Sequence, residues 1–580
     1  LSGDLDLSVT GALSLLKATT AGAAQLHHSG VAGTSLRYGE LNIGDSLTVT
    51  GNGDWIGDTA LAGGPVRFNV GSADLGRLQS TAGDLLLNVA RSFFVDELAA
   101  GGNWHLSAAS AQVGTADITG DSDVTISGQL DLGRLTGRNA LFQLGAANIA
   151  DLNLSGDLDL SVTGALSLLK ANTGGAAQLH HSGAAGTALR YGALKIGDSL
   201  TVTGNGDWIG DTALVGGQVS FDVGSADLGR LQSTGGDLLL NVARALAVND
   251  LHSDSKRVEV NAGGAQLGNV NAATTLSVHT TADALQIGTG ISGGDLTLTT
   301  LAGSLANIQF GPLADPATPN VLVPSHLKSG ANILVRADGD VLGGNAQAQG
   351  LLQIFGRNLR LGRAQSLQGD VFLQVNGDAS QGHGNISVLK VEAENDVGIL
   401  ATGNLDIVNV DLVGANSLRA GRDLTVGIGG NLNVTGVAEA GRDLTLTVGG
   451  EIDLEAIRAG RNVLVTSGGA VNLTNGVETG GAVTITAAGG GITMGTGIQS
   501  SGLFEGAAVN GDVLLNAAGD ISIPNIVVGN GLISASGHNL SLNQLTASGD
   551  VGLLASGSIR VGTSQSGGDQ SWHADEDIGF

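Results

Sequence analysis

The sequence predicts an all-β protein, a solenoid of short parallel strands with coils of about 20 residues. Three observations carry this. The first is a repeated phrase: AGRDLTV at 420–426, AGRDLTL at 440–446, AGRNVLV at 459–465 and TGGAVTI at 479–485, in steps of 20, 19 and 20 residues. A period near 20 with one strand pattern and one turn pattern per repeat is the mark of stacked coils. The second is composition. Glycine is 96 of 580 residues and aromatics are 3%, yet hydrophobic residues reach 42%. That mixture suits aliphatic strands joined by tight turns and excludes a disordered chain without core formers. The third is a long duplication. Residues 1–91 recur at 154–244 with 80 of the 91 positions identical. The offset of 153 is about eight short repeats, so the copied unit reads as eight whole coils.

Each element follows from the alternation. In GRDLTLTVGG, Leu444, Leu446 and Val448 alternate with Thr445 and Thr447, which puts the aliphatics on one face. Leu424 and Val426 take the same places one coil earlier. Gly449 and Gly450 then permit a sharp corner, and Ile452, Leu454 and Ala456-Ile457 follow before the next AGRN. Twenty-nine coils of 20 residues at the usual strand spacing would make a rod of roughly 140 Å. A β-sandwich or barrel is disfavoured, because hairpin proteins rarely hold so constant a period and bury more aromatics. Asn and Asp at equivalent corners are expected to form hydrogen-bonded ladders.

Four of the six prolines, Pro312, Pro316, Pro319 and Pro324, fall within 310–327. Proline cannot donate to a ladder, so this stretch reads as an extra loop or a join. The expected organisation is a β-helix segment at 1–308, containing the tandem copies 1–153 and 154–306, a proline-bearing loop or join at 309–328, and a second β-helix segment at 329–580. Beyond the loop, GANI at 330, GRNL at 356 and GDVF at 369 are spaced by 26 and 13 residues, which reads as coils with small insertions.

The net charge of −27 argues against nucleic-acid binding, which needs a basic track, and favours a role in keeping a long chain soluble. No apolar stretch is long enough to cross a membrane as a helix. The chain begins without Met, and its single Met is Met494; it reads as a fragment of a longer protein whose export signal lies elsewhere. The absence of cysteine fits an exported chain that must stay unfolded in an oxidising compartment.

The AGRDLTL/TVGG repeat resembles that of the filamentous haemagglutinins, large bacterial exoproteins of two-partner secretion, most clearly over 394–486. The resemblance implies a right-handed parallel β-helix, export through an outer-membrane two-partner secretion transporter, and a secreted or cell-surface location. It also implies a role in cell adhesion or biofilm, with a surface glycan, matrix polysaccharide or receptor protein as partner. The family's NPNG/NPNL-type secretion motif and any terminal toxin domain are missing from this sequence, as an internal repeat segment would be expected to show.

The candidate ligand-binding residues lie in the duplicated GNGDWIGD corners: Trp55 with Asp54 and Asp58, and Trp208 with Asp207 and Asp211. An indole beside carboxylates can stack on a sugar ring while the acids take its hydroxyls. A Trp packed over a coil edge is the equally ordinary alternative. The pairs His27-His28 and His180-His181 make poor metal sites, because neighbours in a strand face opposite ways. No zinc spacing, calcium-binding nonapeptide or EF-hand loop is present. Asp recurs with the repeat and does not converge as a glycosidase pair must, and no GxSxG, P-loop or HExxH occurs. The expectation is an adhesin with no active site, no metal and no cofactor. The alternatives are a passive stalk of a contact-dependent inhibition toxin and a polysaccharide-active β-helix enzyme.

Overall fold

The computed structural model describes residues 1–31, 33–301, 306–311, 326–408, 416–500 and 511–580. They form two compact units, Leu1–Ala273 and Thr274–Phe580. Each unit is a β-solenoid, with parallel pairing between coils. Apart from one turn of 3-10 helix at Ala379–Gln381, the secondary structure of the described residues is strand.

One coil of the first unit shows how sequence becomes cross-section. In the strand Leu85–Ala100, the inward residues are Leu85, Leu87 and Val89, then Phe93 and Val95, then Leu98 and Ala100, all buried. The alternation slips at 90–92 and again at 96–97, where consecutive residues face outward. These slips are the corners. They divide the coil into a five-residue first face, a short second face and a short third face. Residues 101–103, Gly-Gly-Asn, close the coil, and Trp104 stacks on Leu85 to start the next. In the second unit the same frame reads 424–428, 432–434 and 437–440. Leu424, Val426, Leu444, Leu446 and Val448 are all buried, as the alternation predicts.

The core is more aromatic than the composition leads one to expect. Trp55, Trp104, Trp208, Phe93, Phe142, Phe221 and Phe310 are fully buried. Phe142 and Phe221 stack between a Val and a Leu of the adjoining coils, while other rings are set beside alanine. Along one inward column the register runs Leu36, Trp55, Ala73, Phe93, Ala111. Alanine thus lies on either side of Phe93 and between it and Trp55, so that small residues adjoin the rings in this column.

Polar groups at the corners are satisfied between coils. In the second unit, the N–H of Asn431 donates to Asn404 Oδ1 at 2.8 Å and the N–H of Glu451 to Asn431 Oδ1 at 2.9 Å. At the AGRD corner the N–H groups of Asp423 and Asp443 donate to Asp396 and Asp423 in turn. Arg422, Arg442 and Arg461 each pair with the Asp one coil back. Buried hydroxyls close a third set: Ser80, Ser233 and Ser467 donate to the carbonyls of Gly64, Gly217 and Gly450. The expected corner ladders are therefore present, made of side-chain oxygens that cap backbone N–H groups.

The duplication is a whole number of coils. Register partners lead from Trp55 through Ala73, Phe93, Ala111, Leu130, Ala147, Leu166 and Leu189 to Trp208. That is eight steps along one column, so the two tryptophans share a face. The spacing after residue 330 differs from the expectation. Ile333, Leu352 and Val371 are register partners, which makes two regular coils of 19 residues. GRNL belongs to a different corner from GANI and GDVF, which explains the intervals of 26 and 13. The longer coils come next, from Val371 to Val397 and from Val397 to Leu424.

Residues 312–325, with the four prolines, lie outside the described residues. On either side of them, Ile308–Phe310 and Leu327–Ser329 both pair with Leu285–Ser292. The described strands on either side therefore belong to one coil.

Candidate functional site

The duplicated GNGDW corners bury their indoles. Trp55 is 0% exposed and Trp208 1%. Trp55 packs against Phe68 with ring centroids 6.4 Å apart. Both indoles point into the coil, because Trp55 and Gly57 occupy the inward positions of the second face and Ile56 the outward one. No indole face is available for a sugar, so stacking at these corners is ruled out in this fold. The carboxylates are placed differently. Asp54 accepts from Ser72 Oγ and pairs with Arg91; Asp207 accepts from Ser225 Oγ and pairs with Arg244. The Ser225 bond, followed by Arg244, holds the Asp207 carboxyl below the usual carboxylate range. Asp58 and Asp211 are exposed. The six residues thus split into two core rings, two corner ion pairs and two free surface acids.

The histidine pairs divide as strand geometry requires. His27 and His180 face solvent and bond Thr50 and Thr203 of the next coil, each at 2.8 Å. His28 and His181 are buried. Two glycines make room for them: a side chain at Gly53 or Gly206 would run into the imidazole of His28 or His181. Among the described residues no group of three or more His, Cys, Asp or Glu side chains is arranged to hold a metal ion. No helix among them is long and apolar enough to cross a membrane.

Grooves on the outer faces of the described residues include one in each unit. One, of about 460 Å³, is in the second unit and is lined by Glu455, Arg458, Asn475, Glu478, Gln499 and Asn525 among others. Its polar groups are largely paired with each other: Arg458 with Glu478 at 3.0 Å and Asn475 with Glu455 at 3.1 Å. It belongs to a row of alternating charge on the third face, in which Arg419 bridges Glu392 at 3.2 Å and Glu439 at 3.5 Å.

The other groove, of about 510 Å³, runs across five coils on the first face of the first unit. Its outward columns place Arg67, Leu86, His105 and Asp123 in one line and Asn69, Asn88 and Ser107 in the next. Asn88 donates to Asn69 at 3.2 Å, and His105 lies 3.5 Å from Asp123. Arg67 forms no ion pair among the described residues. The alternation of the strands makes these positions outward, but a groove that spans five coils emerges only after stacking, so no sequence motif announced it. Comparison with protein-family models, with curated proteins and with solved structures found no match to this chain.

Proposed function

We propose that this chain is a segment of a secreted or cell-surface bacterial adhesin that attaches through the sides of its coils. One observation carries the reading. Every coil adds a row of outward side chains in fixed register with the last, at about 4.8 Å spacing, so that each unit displays long ordered columns of polar groups. Such columns suit an extended ligand that makes many weak contacts, where linked contacts reinforce each other. The AGRDLTL-type repeats, the absence of cysteine and the acidic charge support export, with an outer-membrane two-partner secretion transporter as the export partner.

The test is attachment. Beads coated with the purified chain should bind epithelial cells, bacterial cells or biofilm matrix, and free chain should compete. Coated beads that bind none of these surfaces would leave a spacer role in place of an adhesive one. Shortening of a matrix polysaccharide by the chain would make it an enzyme.

A further inference from the structure

The duplication supplies an internal control for the groove on the first unit. Eleven positions differ between 1–91 and 154–244. Only one of them, Ala62 against Val215, is a core position. Two others lie side by side on the first face of a single coil. Arg67 and Asn69 in the first copy are Ser220 and Asp222 in the second. One step further along the stack, His105 in the first copy corresponds by register to Glu259 in the second. The neighbours Leu86 and Asn88 are kept as Leu239 and Asn241. Two nearly identical surfaces therefore differ chiefly in charge. One presents Arg67 and His105; the other presents Asp222 and Glu259.

We propose that the groove of the first copy binds an acidic polysaccharide through its carboxylates, laid across the coils with Arg67 as the cationic contact and the His105 ring as a hydrogen-bond donor. A peptide strand has nowhere to add, because backbone groups within the sheet are already paired between coils. The groove runs across the strands, and its floor offers amides, hydroxyls and one aliphatic patch at Leu86. That set matches the hydroxyls and C–H faces of a sugar chain. The planar guanidinium of Arg67 takes a carboxylate in two-point fashion. Arg67 and His105 are two coils apart, or about 9.6 Å. A pyranose unit advances a chain by roughly one coil spacing, so carboxylates on alternate sugars meet Arg67 and His105. Asp123 beside His105 repels a more densely charged polymer, which favours a sparse polyanion over a heavily sulfated one.

This inference rests on the lateral-attachment reading and names its ligand class. The test uses the full chain, with hyaluronate, which carries a carboxylate on alternate sugars, dextran and dextran sulfate as probes. The wild-type chain should retain hyaluronate, release it as salt rises, and ignore dextran. The double substitution Arg67→Ser with Asn69→Asp copies residues that the second copy already carries in a coil that otherwise differs only at its corner, Ala82 against Gly235, so folding is preserved. It should weaken hyaluronate binding at least ten-fold. The reverse change, Ser220→Arg with Asp222→Asn and Glu259→His, should add a second site of similar strength. Three results would overturn the proposal: no hyaluronate binding by the wild type, binding unaffected by the Arg67/Asn69 change, or tighter binding of dextran sulfate that depends on Arg67. Attachment to cells, measured in parallel on the same variants, separates the two readings. Cell attachment without hyaluronate binding removes the groove's ligand and keeps the adhesin; loss of both removes both.

Discussion

At the residue scale, the duplicated coils bury polar atoms that an ordinary core avoids. Tyr38 and Tyr191, the only tyrosines in the chain, are each 5% exposed, and their hydroxyls have no hydrogen-bond partner among the described residues. Each ring lies over a glycine of the next coil, Gly57 or Gly210, where a Cβ would collide with it. Burial, with a smaller contribution from Asp58 or Asp211, pushes both phenols well above their ordinary value near 10. The consequence for stability has a definite sign. The folded state keeps the protons that the unfolded state gives up above pH 10, so stability is intact below that pH and falls as pH rises beyond it. At pH 11 each tyrosine should cost about 1.4 kcal/mol. Phenolate absorbance should appear only as the first unit unfolds. The variant Tyr38→Phe with Tyr191→Phe loses no hydrogen bond and should resist alkaline urea unfolding better than the wild type. An equal response to pH in both proteins would refute the assignment.

At the scale of the element, the corner decides the coil. Asn431 passes a hydrogen bond along the stack, donating its N–H to Asn404 and accepting from the N–H of Glu451. Asn431→Ala should lower stability by about 1 kcal/mol, read as a shift in urea midpoint at constant slope. Asn431→Asp should be nearly silent, since Asp423 and Asp443 make the same bond at the neighbouring corner. These corners were legible in the sequence because Asn and Asp recur there at the coil period. Their phase was less legible. Gly-Arg-Asn marks one corner at 356–358 and another at 460–462, so chemistry alone did not say which corner a motif occupied, and GRNL was read out of phase. The tryptophans misled for a related reason. Asp54, Asp58 and three glycines made the stretch read as an exposed turn. Strict alternation would have placed Trp55 and Gly57 inward and Ile56 outward, as they are. The groove could not be read at all, because residues 67 and 123 come into one column only through three successive register choices.

At the scale of the whole molecule, a solenoid can lose or gain whole coils without disturbing the rest, because each coil touches only its neighbours. The eight-step register path from Trp55 to Trp208 makes this testable. Deleting residues 55–207 removes 153 residues and joins Asp54 to Trp208, which regenerates the native sequence GNGDWIGD at the junction. In the parent protein Trp208 stacks on Leu189 and Gly210 on Tyr191. In the shortened chain they would meet Leu36 and Tyr38, which are the same residue types in the same register. The ring of Tyr38 again finds a glycine beside it, and Trp208 is again followed by Ala226. The 427-residue variant should therefore fold, with an unchanged strand signature in circular dichroism and a first-unit unfolding midpoint close to that of the parent. It also lacks Arg67 and His105, so it should fail to bind hyaluronate while remaining folded. Deleting 55–217 instead would join Asp54 to Gln218, bring a first-face strand onto the second face, and turn its aliphatic residues against the wrong column. That variant should aggregate or unfold at low urea. If the two deletions behave alike, whether both fold or both fail, the copied unit is not a set of interchangeable coils.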